Sequence, residues 1–247
     1  MSTHKESISV VIPAYNEEKL IRECLQSLKK QSYAGPIEII VVDNNSSDGT
    51  ARIAREEGAT VVFEPMPGVC AARQAGTLAA HGSIVVSTDA DTTFPTNWLE
   101  RISDTFSTDP DIVAVGGSFA LVDAPWWGRI YTGIIFVGII GLIYEVSGKI
   151  ACMFGSNTAF KKSAWDGYDV KLAQGGDEVV LLRQLQKKGK VVMLFDNTVL
   201  TSARRLEKGF WHFLVYYVFD YFYCLITGKS MVAPRAIRMQ KESAANP

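Results

Sequence analysis

Two carboxylates, Asp89 and Asp91, flank a single alanine directly after the apolar run 84–87. Placed two positions apart at a strand end, they can present oxygens to one hard cation, with phosphate oxygens and water completing its shell. A cation held this way bridges a pyrophosphate and neutralises charge gathering on a departing nucleotide. The same pair is also ordinary turn chemistry, so its company decides its meaning. Asp43 ends a second apolar run, 37–42, and opens the polar stretch Asn44-Asn45-Ser46-Ser47-Asp48-Gly49-Thr50. That stretch reads as a loop capping the following helix, and its first carboxylate can accept a hydrogen bond from the ring N–H of a base. Pro13, Ala14, Tyr15 and Glu17 follow a first apolar run, 8–12, and would wall the same pocket. Arg73 is either a partner for phosphate or a base carbonyl or an ordinary solvated helix arginine. Arg204-Arg205 belongs near a diphosphate, near lipid headgroups, or simply on a basic surface.

The elements that must position these groups alternate. Short β-branched runs at 8–12, 37–42, 60–63 and 84–87 read as buried strands. Between them, residues 17–30 carry Leu20, Ile21, Cys24, Leu25 and Leu28 at helical spacing, and 48–57 and 69–81 read as further helices. Strand-helix alternation implies right-handed crossovers and a mostly parallel, doubly wound sheet with helices on both faces. Ligands of such sheets sit beyond the carboxyl ends of the strands, where Pro13–Glu17, Asp43–Asn45 and Asp89–Asp91 all fall. Further on, 177–188 reads as an amphipathic helix and 191–195 as a strand.

In this order, Val11-Ile12-Pro13-Ala14-Tyr15-Asn16-Glu17-Glu18, Ile40-Val41-Val42-Asp43, Ser47-Asp48-Gly49-Thr50, Gly68 with Ala72-Arg73-Gln74-Ala75-Gly76, and Asp89-Ala90-Asp91 resemble family 2 glycosyltransferases of the GT-A fold. The resemblance covers about the first 120 residues. It implies inverting transfer from a nucleoside diphosphate sugar, most commonly UDP-linked, with Mg2+ or Mn2+. It also implies that Pro13, Ala14, Tyr15, Glu17, Asp43 and Arg73 contact the nucleotide, that Asp89 lies near ribose and metal, and that Asp91 ligates the metal. Gln74 stands where many members have asparagine, which keeps the amide. The family's general base belongs to an acidic pair at a helix start in the second half. Here the stretch is Gly175-Gly176-Asp177-Glu178, which places the base at Asp177 and leaves Glu178 as its rival. A bland role is also open, because an acid at a helix N-terminus complements the dipole by ~0.3–1 kcal/mol.

Several other features carry little. Thr227-Gly228-Lys229-Ser230 resembles the end of a phosphate-binding loop, but Tyr223 stands where the first glycine is needed. No GxGxxG follows the first strand, which disfavours a dinucleotide-dependent dehydrogenase. His4, His81 and His212 lack ligand spacing, and the four cysteines form no CxxC pair, so reduced thiols are expected. The 247 residues carry a net charge of −1, and no basic field points to nucleic acid.

Composition changes near residue 120. Residues 126–144 hold Arg129 as their only charge until the run ends at Tyr144, and 210–227 are crowded with aromatics. The run 130–144 is short of the ~20 residues a span requires yet apolar on nearly every face. With Trp126, Trp127, Phe210, Trp211, Phe213, Tyr216, Tyr217, Phe219, Tyr221, Phe222 and Tyr223 suited to an interface, and Arg204, Arg205, Lys208, Lys229, Arg235 and Arg238 suited to anionic headgroups, these segments predict a membrane surface as partner. Core helices packed on each other, or a homodimer, are the alternatives. No leader with a basic start, apolar run and cleavage site is visible, so the cytoplasmic side is expected. The expected division is a nucleotide-sugar half at 1–120, an acceptor half at 121–228 with C-terminal apolar helices, and a polar tail at 229–247. The acceptor would be a lipid-linked or glycan hydroxyl or phosphate. Rival functions are a nucleotidyltransferase, whose basic glycine-rich loop is not found, and a catalytically degenerate membrane scaffold, which the intact Asp43, Asp91 and Asp177 argue against.

Overall fold

The computed structural model describes residues 5–130, 132–133, 138–148, 150, 152–170, 177–207, 209–213, 219, 223 and 227. The first half alternates as expected: β1 (Ile8–Ala14), α1 (Ile21–Leu28), β2 (Ile37–Asp43), α2 (Thr50–Glu56), β3 (Thr60–Phe63), α3 (Val69–Ala79) and β4 (Ile84–Ser87). There follow β5 (Thr92–Thr93), α4 (Trp98–Thr108), β6 (Ile112–Val122), α5 (Trp126–Ile130), α6 (Ile139–Ser147), β7 (Thr158–Lys161), α7 (Asp177–Gln186), β8 (Lys190–Ser202) and α8 (Phe210–Phe213). All eight strands form one sheet in the order β3-β2-β1-β4-β7-β6-β8-β5. β7 runs antiparallel to β4 and β6, and β5 antiparallel to β8; the other pairings are parallel.

Period-2 alternation sends successive side chains of a strand to opposite faces, and both faces are covered. Ile8, Val10 and Ile12 pack with Ile21, Leu25 and Leu28 of α1 and with Trp98, Leu99, Ile102 and Phe106 of α4. Val11, Ile40 and Val42 pack on the other side with Ala72 of α3 and Leu181, Leu182 and Leu185 of α7. α3 lies unusually close to the sheet because of Gly76: a methyl group there would overlap Val11 and stand 2.7 Å from Val42 Cγ2. Trp98 is fully buried. Its indole N–H donates to Asn157 Oδ1 at 2.9 Å, while Asn157 Nδ2 donates to the carbonyls of Ser118 and Asn197 at 2.8 and 2.7 Å. This network fastens α4 to β6, β8 and the segment before β7.

The strand expected at 191–195 is longer, because β8 continues to Ser202 beside β6 through a register irregularity. Its polar residues conceal the continuation from the apolar pattern: Asn197 is buried in the Trp98 network. Of the C-terminal apolar segments, α5, α6 and α8 are described. Tyr216, Tyr217, Tyr221, Phe222, Lys208, Lys229, Arg235, Arg238, the glycines 175 and 176, and the tail 229–247 lie outside the described residues.

Candidate active site

The loops leaving β1 and β2 are laced together. Asn16 adopts a left-handed φ of 53°, tolerable for asparagine. Its backbone N–H donates to Ser46 Oγ at 3.0 Å, and its Oδ1 accepts from the Ser47 N–H at 2.8 Å. The Glu17 N–H donates to Thr50 Oγ1 at 2.8 Å, and Glu18 Oε2 accepts from the Gly49 N–H at 2.9 Å. Asp43 is buried and accepts from the Ser46 N–H at 3.0 Å. Next to it, Asn44 donates to the Glu64 and Met66 carbonyls at 2.9 and 2.6 Å and accepts from the Gly68 N–H at 2.8 Å. Thus Pro13, Ala14, Tyr15, Glu17 and Asp43 stand on one braced rim at the carboxyl ends of β1 and β2, where Ala14 pairs with Asp43 in register.

Past β4, Asp91 receives a hydrogen bond from Thr201 Oγ1 at 3.1 Å and an ion pair from Arg204 Nη2 at 2.9 Å. The same Arg204 nitrogen lies 3.0 and 2.8 Å from the two oxygens of Glu17. One guanidinium therefore joins the β1 rim to the Asp-Ala-Asp turn, and these carboxylates outweigh the burial that opposes its charge. Thr92 and Thr201 hydroxyls bond each other at 3.1 Å, clamping the turn to the end of β8. The donor set fits a hard cation: carboxylate oxygens on a site that already attracts positive charge. Among the described residues no three His, Cys, Asp or Glu side chains are placed to hold one metal ion together, so Asp91 with Asp89 beside it would rely on diphosphate oxygens and water for the remaining shell.

Asp177 opens α7 and is buried against Arg73 of α3, with which it forms a short ion pair. Arg73 is only 4% exposed. Its second nitrogen reaches Asp89 Oδ1 at 3.1 Å, and Glu178 Oε1 is 3.7 Å from the first. Burial opposes ionisation of Asp177, yet the Arg73 charge and hydrogen bonds from Glu178 and Arg73 hold its carboxyl below the usual range. Glu178 goes the other way. Burial and the neighbouring Asp177 push it up to about 8, so at neutral pH Asp177 is the ionised member of the pair.

The structure thus gathers Glu17, Asp89, Asp91, Arg73 and Asp177 through two arginines, with Asp43 on the adjoining rim. Arg73, expected at the nucleotide, forms ion pairs with Asp177 and Asp89 and lies 3.7 Å from Glu178. Sequence reasoning left Arg204 between diphosphate, headgroup and surface and missed its bridge from Glu17 to Asp91. It also missed Thr50, Ser46 and Asn44, which brace the rim, and Thr201, which clamps the Asp-Ala-Asp turn. Only the polar loop 44–50 signalled any of them.

The mixed α/β sheet, with acidic residues beyond the ends of β1, β2 and β4, is the arrangement of the GT-A fold. The chain matches glycosyl transferase family 2 over residues 9–167 and belongs to that family. It is similar to the glycosyltransferase AglE of Haloferax volcanii, 37% identical over 114 residues, 43% of this chain and 38% of that protein. The glucosyl-dolichyl phosphate glucuronosyltransferase of the same organism is 28% identical over 189 residues, 70% of this chain and 59% of that one. Among solved structures, a mannosyltransferase of Pyrobaculum calidifontis in complex with GDP-Man and Mn2+ superposes with a TM-score of 0.64 at 24% identity, covering 83% of this chain and 59% of that one. The matched part spans 38% and 59% of those two curated relatives.

Proposed function

We propose that this chain is an inverting glycosyltransferase that moves a sugar from a nucleoside diphosphate donor, UDP-linked, to a hydroxyl or phosphate of a lipid-linked or polysaccharide acceptor on the cytoplasmic face of a membrane. One observation carries the reading: a single guanidinium, Arg73, touches both Asp89 of the donor turn and Asp177. A base candidate and a donor carboxylate therefore lie within the reach of one side chain. Pro13, Ala14, Tyr15, Glu17 and Asp43 would hold the nucleotide against the braced rim. Bound at Asp91 with Asp89 beside it, Mg2+ or Mn2+ would neutralise charge on the leaving diphosphate.

For a hydroxyl acceptor, the oxygen forms its bond to the anomeric carbon on the face opposite the diphosphate. The bond from that carbon to the phosphate oxygen breaks, and its electron pair leaves with the nucleoside diphosphate. The hydroxyl proton passes to Asp177. A carboxylate of low basicity suffices, because the hydroxyl becomes acidic as its new bond forms. A lipid-linked acceptor is favoured by Trp126 and Trp211, 75% and 74% exposed. They are the chain neighbours of Trp127 and Phe210, whose rings meet edge to face, and Trp211 follows soon after the turn that carries Arg204. A relative named for a glucosyl-dolichyl phosphate supports the same class.

The test is nucleoside diphosphate release from UDP-glucose, UDP-N-acetylglucosamine and GDP-mannose with Mn2+, before and after chelation. Metal-dependent release that Asp91→Asn abolishes, with its thermal unfolding unchanged, supports the reading. Release by that variant at the wild-type rate with metal chelated overturns the assignment of the Asp-Ala-Asp turn.

A further inference from the structure

The resemblance implies that Arg73 contacts the nucleotide, but its surroundings describe a different task. The guanidinium is enclosed by Asp177, Asp89 and Glu178. Gly155 packs directly over it, and a methyl group there would overlap Arg73 and stand 2.6 Å from Glu178 Oε1. Among the described residues, Arg73 and Glu178 act on Asp177, Cys70 and Tyr168 are close enough to feel its charge, and Asp169 acts on the same Cys70. Among these described neighbours Arg73 carries the positive charge. A guanidinium is planar, and its separate nitrogens can pair with different carboxylates at fixed geometry. One nitrogen of Arg73 is committed to Asp177 and the other to Asp89. α3, which carries it, is seated on the sheet at Gly76, one helical turn away, so the guanidinium has a rigid mount.

We propose that Arg73 is a positioning residue that aims the Asp177 carboxylate while tying it to Asp89, so that base and donor turn form one unit. This rests on Asp177 being the general base. A residue acting through Asp177 lowers turnover without weakening nucleotide binding, and its effect vanishes once the carboxylate is gone. A nucleotide ligand does the opposite.

The experiment compares Arg73→Gln and Arg73→Lys, alone and combined with Asp177→Asn. Calorimetry with UDP and with GDP, each with Mn2+, gives nucleotide affinity. Turnover is read on the donor that the wild type uses. Carbon-13 NMR of labelled aspartate carboxyls, with the Asp177 signal assigned by its loss in Asp177→Asn, gives the ionisation of Asp177. Arg73→Gln is expected to cut kcat by about 10–100-fold, within the usual contribution of a positioned base. Nucleotide dissociation constants should stay within about threefold, and lysine should restore part of kcat because the charge survives without the fork. In the Asp177→Asn background the further loss should be under about threefold. The Asp177 signal, ionised through the mildly acidic range in the wild type, should titrate at higher pH in Arg73→Gln.

Weakening of nucleotide binding by about tenfold or more in both backgrounds would make Arg73 a nucleotide ligand and overturn the proposal. An unmoved Asp177 titration would also overturn it. If Arg73→Gln does not fold, Arg73→Lys carries the same comparisons. Full turnover by Asp177→Asn would instead contradict the assignment of the base, a result distinct from either of these because the NMR titration reads the pairing without turnover.

Discussion

Asp177 and Glu178 are adjacent in the chain, yet their carboxyls are perturbed in opposite directions. Burial and Asp177 push Glu178 up to about 8, whereas Arg73 holds Asp177 down despite its burial. The raised group makes the folded protein bind a proton that the unfolded chain has released, so stability falls as pH rises from the ordinary glutamate range to about 8. One proton contributes a slope of at most ~1.4 kcal/mol per pH unit. Asp177 has the opposite sign, and its stabilisation is lost only in acid, below the ordinary aspartate range. Glu178→Gln should therefore flatten the decline in urea stability between about pH 5.5 and 8. An unchanged slope would show that Glu178 is not the group responsible. The acidic residues themselves were legible in the sequence, because each stands at the end of an apolar run or the start of a periodic one. Their pairings were not. Arg73 and Asp177 are 104 residues apart and Arg204 and Asp91 are 113 apart, and a long side chain gives no local sign of the carboxylate it will meet.

The first-half elements were legible because β-branched runs and helical spacing agree with each other: β1 to β4 and α1 to α3 all appear, though β1 runs on through Pro13 to Ala14 and α1 is confined to Ile21–Leu28. Where polarity interrupts a strand, the pattern fails. β8 was seen only as 191–195 because Asp196, Asn197 and Thr198 break its apolar run, although Asn197 is buried and bonded to the Trp98 carbonyl. α3 shows what a motif glycine does: Gly76 lets the helix sit on Val11 and Val42, and Arg73 is carried one turn earlier on that helix. Gly76→Ala should gain helix propensity yet lose ~1–3 kcal/mol to overpacking, read by urea unfolding. Because the sheet fixes where α3 lies, turnover should fall further than stability alone explains. A variant as stable as the wild type would show that α3 can lift away at no cost.

At the scale of the molecule, strands from both halves of the chain share one sheet, and Trp127 packs against Ala124, Ala203 and Leu206, the last two in the turn that carries Arg204. Among the described residues no helix is long and apolar enough to cross a membrane. Trp126 and Trp211 are nevertheless largely exposed, and Leu142 and Val146 stand out from α6 at 64% and 80%. Docking at an interface is the expected use of this surface. Flotation with vesicles of neutral and anionic lipid should carry the protein upward, and Trp126→Ser with Trp211→Ser should reduce the bound fraction several-fold. Equal flotation of the double variant would remove these rings from the contact. The central claim is that Asp177 is the base beside a donor site. It is tested most directly by turnover of Asp177→Asn and Glu178→Gln on the donor the wild type uses, with nucleotide affinity measured in parallel. The account predicts a fall of ~10²–10⁴ for Asp177→Asn at nearly unchanged affinity, with a far smaller effect for Glu178→Gln. The reverse ranking, or near wild-type turnover by Asp177→Asn, would contradict it.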